Sequence, residues 1–158
     1  MAENHVRRLD RGMAEKALRV LRASLDENAP EDAEPRVGDT LRTRMRALPQ
    51  RLHGGGFAAT YAFLVAKSNG NDKVARAYRQ LSVVIAEHVR QEKLLPDSKG
   101  PEKHGDPAWL LRELATNRVT PSQYARLSAE VLQLATWLRR LADALYEPDT
   151  DGGGQDGE

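Results

Sequence analysis

The sequence predicts an all-α protein: a single compact bundle of about six helices, followed by a disordered acidic C-terminal tail. Three observations carry this. Apolar residues recur at helical spacing through most of the chain, and no alternating strand pattern or fixed-period repeat interrupts them. Helix-start signals recur, with Asp72 ahead of one apolar pattern, Asp106-Pro107 ahead of another and Thr120-Pro121 ahead of a third. Finally, Tyr124, Leu127, Val131, Leu134, Leu138, Leu141 and Leu145 are spaced 3, 4, 3, 4, 3 and 4, a heptad seam.

Residues 5–27 form the first predicted helix. Val6, Leu9, Met13, Ala17, Val20, Leu21 and Leu25 make its apolar stripe, and Arg7, Arg8, Arg11, Lys16, Arg19 and Arg22 its polar face. Pro30 and Pro35 bound a loop over 28–37. A second helix starts near Asp39 or Thr40, either of which can cap it. Its stripe is Leu41, Met45, Leu48 and Leu52, and Pro49 is expected to kink or interrupt it. Gly54 or Gly55 can supply the left-handed C-cap. A third helix, about 56–68, is apolar around its circumference, with Phe57, Tyr61, Phe63, Leu64 and Val65 among alanines. That composition predicts burial on most sides, which makes it the expected central helix.

After the Ser68-Asn69-Gly70-Asn71 turn, Asp72 caps a fourth helix over about 73–93. Its inner side is predicted as Val74, Ala77, Tyr78, Leu81, Val84, Ile85, His88 and Val89. A polar loop (95–105) leads to a short fifth helix, about 107–117, with Trp109, Leu110 and Leu114 inward. The sixth runs from Thr120-Pro121 to about Tyr146. Its seam can face the bundle or a partner, and the need for a core favours the bundle. The expected organisation is a helical domain over 1–147 and a tail over 148–158.

Composition narrows the function. With 158 residues the chain can bury a real core. There is no cysteine, hence no disulfide or thiolate metal site. No apolar run approaches a membrane span, and MAENHVRRLD lacks a secretory h-region, so a cytoplasmic location without membrane contact is expected. The net charge of +1 hides a division. Residues 28–35 and 147–158 hold Glu31, Asp32, Glu34, Glu147, Asp149, Asp151, Asp156 and Glu158 and no base; the rest has 24 bases against 15 acids, a net of +9. A basic body favours a polyanionic partner such as nucleic acid. An acidic tail on such a body is suited to screening the basic face until assembly.

No catalytic constellation is expected. His5, His53, His88 and His104 show no metal-ligand spacing, so neither a metal nor a cofactor is predicted. His53, beside the glycines, can be read as a general base for RNA cleavage, but a histidine ending a helix more often serves the dipole. Gly54-Gly55-Gly56 lacks the Lys-Ser/Thr of a phosphate loop and follows a helix rather than a strand. Basic residues remain. Arg42, Arg44, Arg46 and Arg51 crowd the second helix, Arg42 and Arg46 sharing one side; Lys67 ends the third and Arg139-Arg140 the sixth. Arg42, Arg46, Arg51, Lys67, Arg139 and Arg140 are the candidate RNA or partner contacts.

These residues resemble a known family, the small all-helical subunit of the Cmr complex, the type III-B CRISPR RNA-guided effector. Its pattern has Leu-Pro ahead of a glycine turn, then a helix ending in Ala-Phe-Leu and a lysine; here Leu48-Pro49, Gly56-Phe57, Ala62-Phe63-Leu64 and Lys67 match. An aromatic-bearing helix with Tyr78 and Leu81 follows. Tyr124, Ser128-Ala129-Glu130, Trp137-Leu138-Arg139-Arg140 and Ala142 complete the order, so the resemblance covers about residues 5–146. Gly54-Gly55 before Gly56, Phe57 for a leucine, Leu141 for an aromatic, the acidic loop and the tail depart from it. The resemblance implies a non-catalytic subunit. Its partners would be the backbone and large Cmr subunits, copies of itself, and guide and target RNA. Lys67 and Arg140 stand at family positions, and Pro49, Gly56, Phe63, Tyr124 and Trp137 are assigned to the fold. A small subunit of another CRISPR effector class, a free-standing helical adaptor or nucleic-acid-binding regulator, and a small ribonuclease using His53 are the rival readings.

Overall fold

The computed structural model describes residues 2–25, 34–96, 98–101 and 105–149, with residues 2–9 and 25 described by backbone alone. The acidic loop over 28–33, the side chain of His5, His104 and the tail from 150 lie outside the described residues. Six helices follow in order: α1 (Ala2–Leu25), α2 (Asp39–Gly55), α3 (Phe57–Lys67), α4 (Lys73–Gln91), α5 (Ala108–Leu114) and α6 (Pro121–Ala144). Among the described residues there is no strand. One isolated parallel bridge joins Val37 to Tyr146.

Local chemistry marks three of the helix starts. The Asp72 carboxylate accepts from Ala75 N at 2.7 Å and caps α4. Thr120 and Gln123 form a reciprocal capping box with Pro121 behind it. Asp106 accepts from Ala108 N at 3.0 Å, while Arg112 donates to its carboxylate at 2.7 Å and holds it below the usual carboxylate range.

The central helix is α4, not α3. It buries 11 of its 19 residues and packs against α1, α2, α3 and α6. The expectation for α3 counted its alanines as core. Ala59, Ala62 and Ala66 are exposed, and only Phe57, Thr60, Tyr61 and Leu64 are buried. Alanine is the best helix former and costs little at a surface, so an alanine-rich circumference does not require burial. Val74, expected inside, is exposed in the first turn of α4.

The α6 seam faces the bundle. Leu127, Val131, Leu134 and Leu138 are fully buried, with Tyr124, Leu141 and Leu145 partly buried around them. α2 lies along α6, and α1 closes over α4 and α6. Tyr61 ties the layers together. It is fully buried, and its hydroxyl donates to Pro107 O at 2.7 Å with Ser82 O also 3.1 Å away. Burial pushes this phenol well above its ordinary pKa, and the Asp106 charge adds to the effect.

α2 runs through Pro49 to Gly55, so of the two expected effects interruption is absent. Two details of α2 differ from expectation. The N-cap is Gly38, with no side-chain cap bond. The Asp39 carboxylate is occupied elsewhere, accepting from the Tyr146 hydroxyl and from Asp149 N at 3.3 Å. The C-cap is Gly56, not Gly54 or Gly55. At φ 79° and ψ 168° it occupies a region essentially closed to other residues, and its N–H closes on Leu52 O at 3.0 Å. Gly56 also opens α3, its carbonyl accepting from Thr60 N at 3.2 Å.

Candidate nucleic-acid interface

α2 carries four arginines, and Asp39 is its only acid. Its buried stripe is Leu41, Met45, Leu48 and Leu52. At about 100° per residue, Asp39, Thr43, Arg46 and Gln50 line up on the opposite face, and all four are exposed. Arg42 borders this face on one side; Arg44 and Arg51, seven residues apart, border it on the other.

The edge beside α6 is partly neutralised. Arg42 donates to Asp143 at 3.0 Å and stacks 4.1 Å over the Tyr146 ring. Arg46 shares the same carboxylate at 3.8 Å. The two cations therefore face one acid, and both remain partly accessible to solvent.

The other edge meets α3 and α4. The Arg51 guanidinium lies 4.6 Å from the centroid of Phe63, and Lys67 Nζ lies 5.8 Å from the same centroid. Phe63 makes an edge contact with Tyr78, centroids 5.6 Å apart. Arg44 lies 5.5 Å over Tyr78 and donates to Thr40 O at 3.4 Å. Three cations thus surround one aromatic pair, and among the described residues none of them makes an ion pair. Cation–π contact holds such groups in place without cancelling their charge. Beside them is an open groove of about 350 Å³, lined by Arg51, Gly54, Gly55, Ala59, Thr60 and Phe63. The Thr60 hydroxyl donates to Arg51 O at 3.1 Å and fixes this corner.

The last pair lies apart. Arg140 stacks 4.6 Å over Trp137 and sits 3.7 Å from Asp10 of α1; Trp137 Nε1 donates to Asp10 at 3.1 Å. Arg139 is exposed, with no ion pair or ring contact among the described residues. The six candidate residues therefore fall in three places. Arg51 and Lys67 come together at Phe63, Arg42 and Arg46 at Asp143, and Arg139 and Arg140 on distal α6. The sequence reading missed Arg44. Its spacing from Arg51 was the available signal, because seven residues return to the same face of a helix.

His53 is exposed in the last turn of α2. His88 is the reverse: 1% exposed, with neither ring nitrogen hydrogen-bonded and Glu130 Oε2 at 3.9 Å. Burial holds its pKa below the ordinary value, opposed by Glu92 and Glu130 and aided by Lys16. Among the described residues, no three His, Cys, Asp or Glu side chains could share a metal ion. No helix there is long and apolar enough to cross a membrane.

No curated protein and no solved structure matches the chain. Residues 10–145, from the last exposed acid of α1's first half to the residue that caps α6, match the family described as CRISPR-associated protein (Cas_Cmr5). That span takes in α1 from Asp10 onward, the whole of α2 to α6, the α2–α3 corner and the distal α6 motif quoted above. The chain therefore belongs to the Cas_Cmr5 family, the small helical subunit of the type III-B Cmr effector.

Proposed function

We propose that this protein is a non-catalytic structural subunit of the type III-B effector. It stacks in several copies beside the backbone subunits and contacts guide or target RNA through the phosphate backbone. The observation that carries the RNA contact is the uncompensated trio of Arg44, Arg51 and Lys67 around Phe63 and Tyr78. Arg42 and Arg46 extend it across α2, and Arg139 and Arg140 offer a second, separate surface for RNA or a neighbouring subunit. Guanidinium and ammonium groups read phosphate without reading sequence. This suits an effector whose specificity comes from base pairing with the guide.

The test is a reconstituted effector carrying Arg51→Ala with Lys67→Ala. Its composition is checked by pull-down, and target-RNA affinity is measured against salt. Losing two phosphate contacts lowers the slope of log K against log salt by about 1 to 2, equally for unrelated guide–target pairs. Wild-type affinity and slope in a fully assembled variant refute the assignment. A variant that no longer enters the complex places this corner at a protein interface instead.

A further inference from the structure

α2 and α3 meet at the Gly56 turn and leave an open groove of about 350 Å³ between them. Its lining divides by chemistry. Gly54, Gly55 and Ala59 put almost no side chain there, while Phe63 supplies a ring, Arg51 a guanidinium and Thr60 a hydroxyl. The fold does not need the first two glycines. Neither has a positive φ; a Cβ on Gly54 meets nothing within 4 Å, and one on Gly55 meets Thr60 Oγ1 at an ordinary 3.6 Å. Glycine inside a helix costs stability relative to alanine, so here it is spent on keeping a surface open.

The other lining groups define what fits. Thr60 is only 6% exposed, and its hydroxyl proton goes to Arg51 O at 3.1 Å. The oxygen keeps acceptor capacity that no donor among the described residues uses, so it favours an occupant with an N–H edge. The Arg51 guanidinium and Lys67 Nζ lie 4.6 Å and 5.8 Å from the Phe63 centroid, and among the described residues neither is in an ion pair. The occupant therefore combines an apolar flat face, an N–H at its edge and a negative charge close by. An unpaired nucleotide has all three. Its base stacks on aromatic rings and guanidinium planes, every standard base carries an N–H donor, and its phosphate accepts from arginine and lysine. A duplex keeps its base faces stacked inside, and an acidic side chain has charge without a flat face. The volume lies at the small end of ligand sites, suited to one such unit.

We propose that the α2–α3 groove holds one unpaired base of single-stranded RNA, stacked beside Phe63 and Arg51 over the Gly54-Gly55 and Ala59 floor, with its phosphate on Lys67. This rests on the RNA reading above, which by itself asks only for phosphate contacts.

The test uses the full-length chain at low salt with two single-stranded probes of equal length, oligouridylate and its abasic ribose-phosphate counterpart. Stacking one base should make wild type bind oligouridylate about 5- to 100-fold more tightly and shift the Gly54, Gly55, Ala59 and Thr60 amides. Ala59 is exposed, so Ala59→Leu fills the groove without touching the core or the cations. It should bring the two affinities together and leave the salt slope for the abasic probe unchanged. Equal wild-type affinity for both probes, with a salt slope, overturns the groove and leaves the phosphate reading standing. A base preference that persists in Ala59→Leu places the stacking elsewhere and overturns it too. If oligoglutamate or a blunt RNA duplex shifts the same four amides as strongly as oligouridylate does, the groove belongs to an acidic protein segment or to paired RNA, and the proposal fails. Binding of neither single-stranded probe refutes both readings.

Discussion

Replacing single glycines in Gly54-Gly55-Gly56 separates a backbone requirement from a ligand cradle. Gly56 sits at φ 79° and ψ 168°, and a Cβ built there meets nothing within 4 Å. The penalty for Gly56→Ala is therefore conformational rather than steric, on the order of 1–3 kcal/mol for an L-residue in that region. Relaxing the backbone instead would strain the Gly56 N–H to Leu52 O bond and the Thr60 N–H to Gly56 O bond, each worth about 1 kcal/mol. Gly54 is helical, and a Cβ there also meets nothing within 4 Å. Gly54→Ala gains about 0.5–1 kcal/mol of helix propensity. For a chain of this size, 1 kcal/mol moves Tm by about 2–4 °C. Thermal and urea unfolding should show Gly56→Ala lowered by about 3–10 °C and Gly54→Ala unchanged or raised by a few degrees (about 2–4 °C). Equal destabilisation by both would refute this account, because it would mean Gly54 is also required by something the geometry does not contain.

Two further outcomes test the core. Tyr61→Phe leaves the Pro107 and Ser82 carbonyls without their hydroxyl donor and should cost about 1–3 kcal/mol, read by urea unfolding. Faster amide exchange at the start of α5 should accompany it, and unchanged stability would show the bond to be dispensable. His88 predicts a pH dependence. Its folded pKa lies below the ordinary 6.5, so the unfolded chain takes up the proton first as pH falls. Stability should decline from about pH 6.5 downward through the folded pKa, and His88→Leu should flatten that part of the curve. Parallel curves for wild type and variant would assign the decline to other groups.

Helix positions were legible because their causes are local. Asp72, Thr120 with Gln123, and the α6 seam each act within a few residues, and each appears as expected. The errors share a different cause. Asp39 has the chemistry of a cap, but Tyr146 and Asp149 arrive from more than a hundred residues away and take its carboxylate. Alanine gives no sequence signal for which side of α3 is wet. Recognising α4 as the centre required knowing that four helices converge on it, burying Glu87 and His88 together with its apolar stripe.

The same division governs the interface. Spacing alone paired Arg42 with Arg46, and the fold keeps them together, but it also sets Asp143 between them. Arg51 and Lys67 looked unrelated in sequence. The turn at Gly56 folds α3 back beside α2 and brings both to one phenylalanine. A carboxylate already shared by two arginines must be given up or reorganised before phosphate can use their full charge. An aromatic ring leaves the cation's hydrogen-bond donors free at its rim. The α2–α3 corner should therefore contribute more to a phosphate contact than the α2–α6 edge, although both carry the same kind of residue. Asp143→Asn offers a direct comparison: it releases Arg42 and Arg46 without adding a base, and so narrows the difference between the two edges.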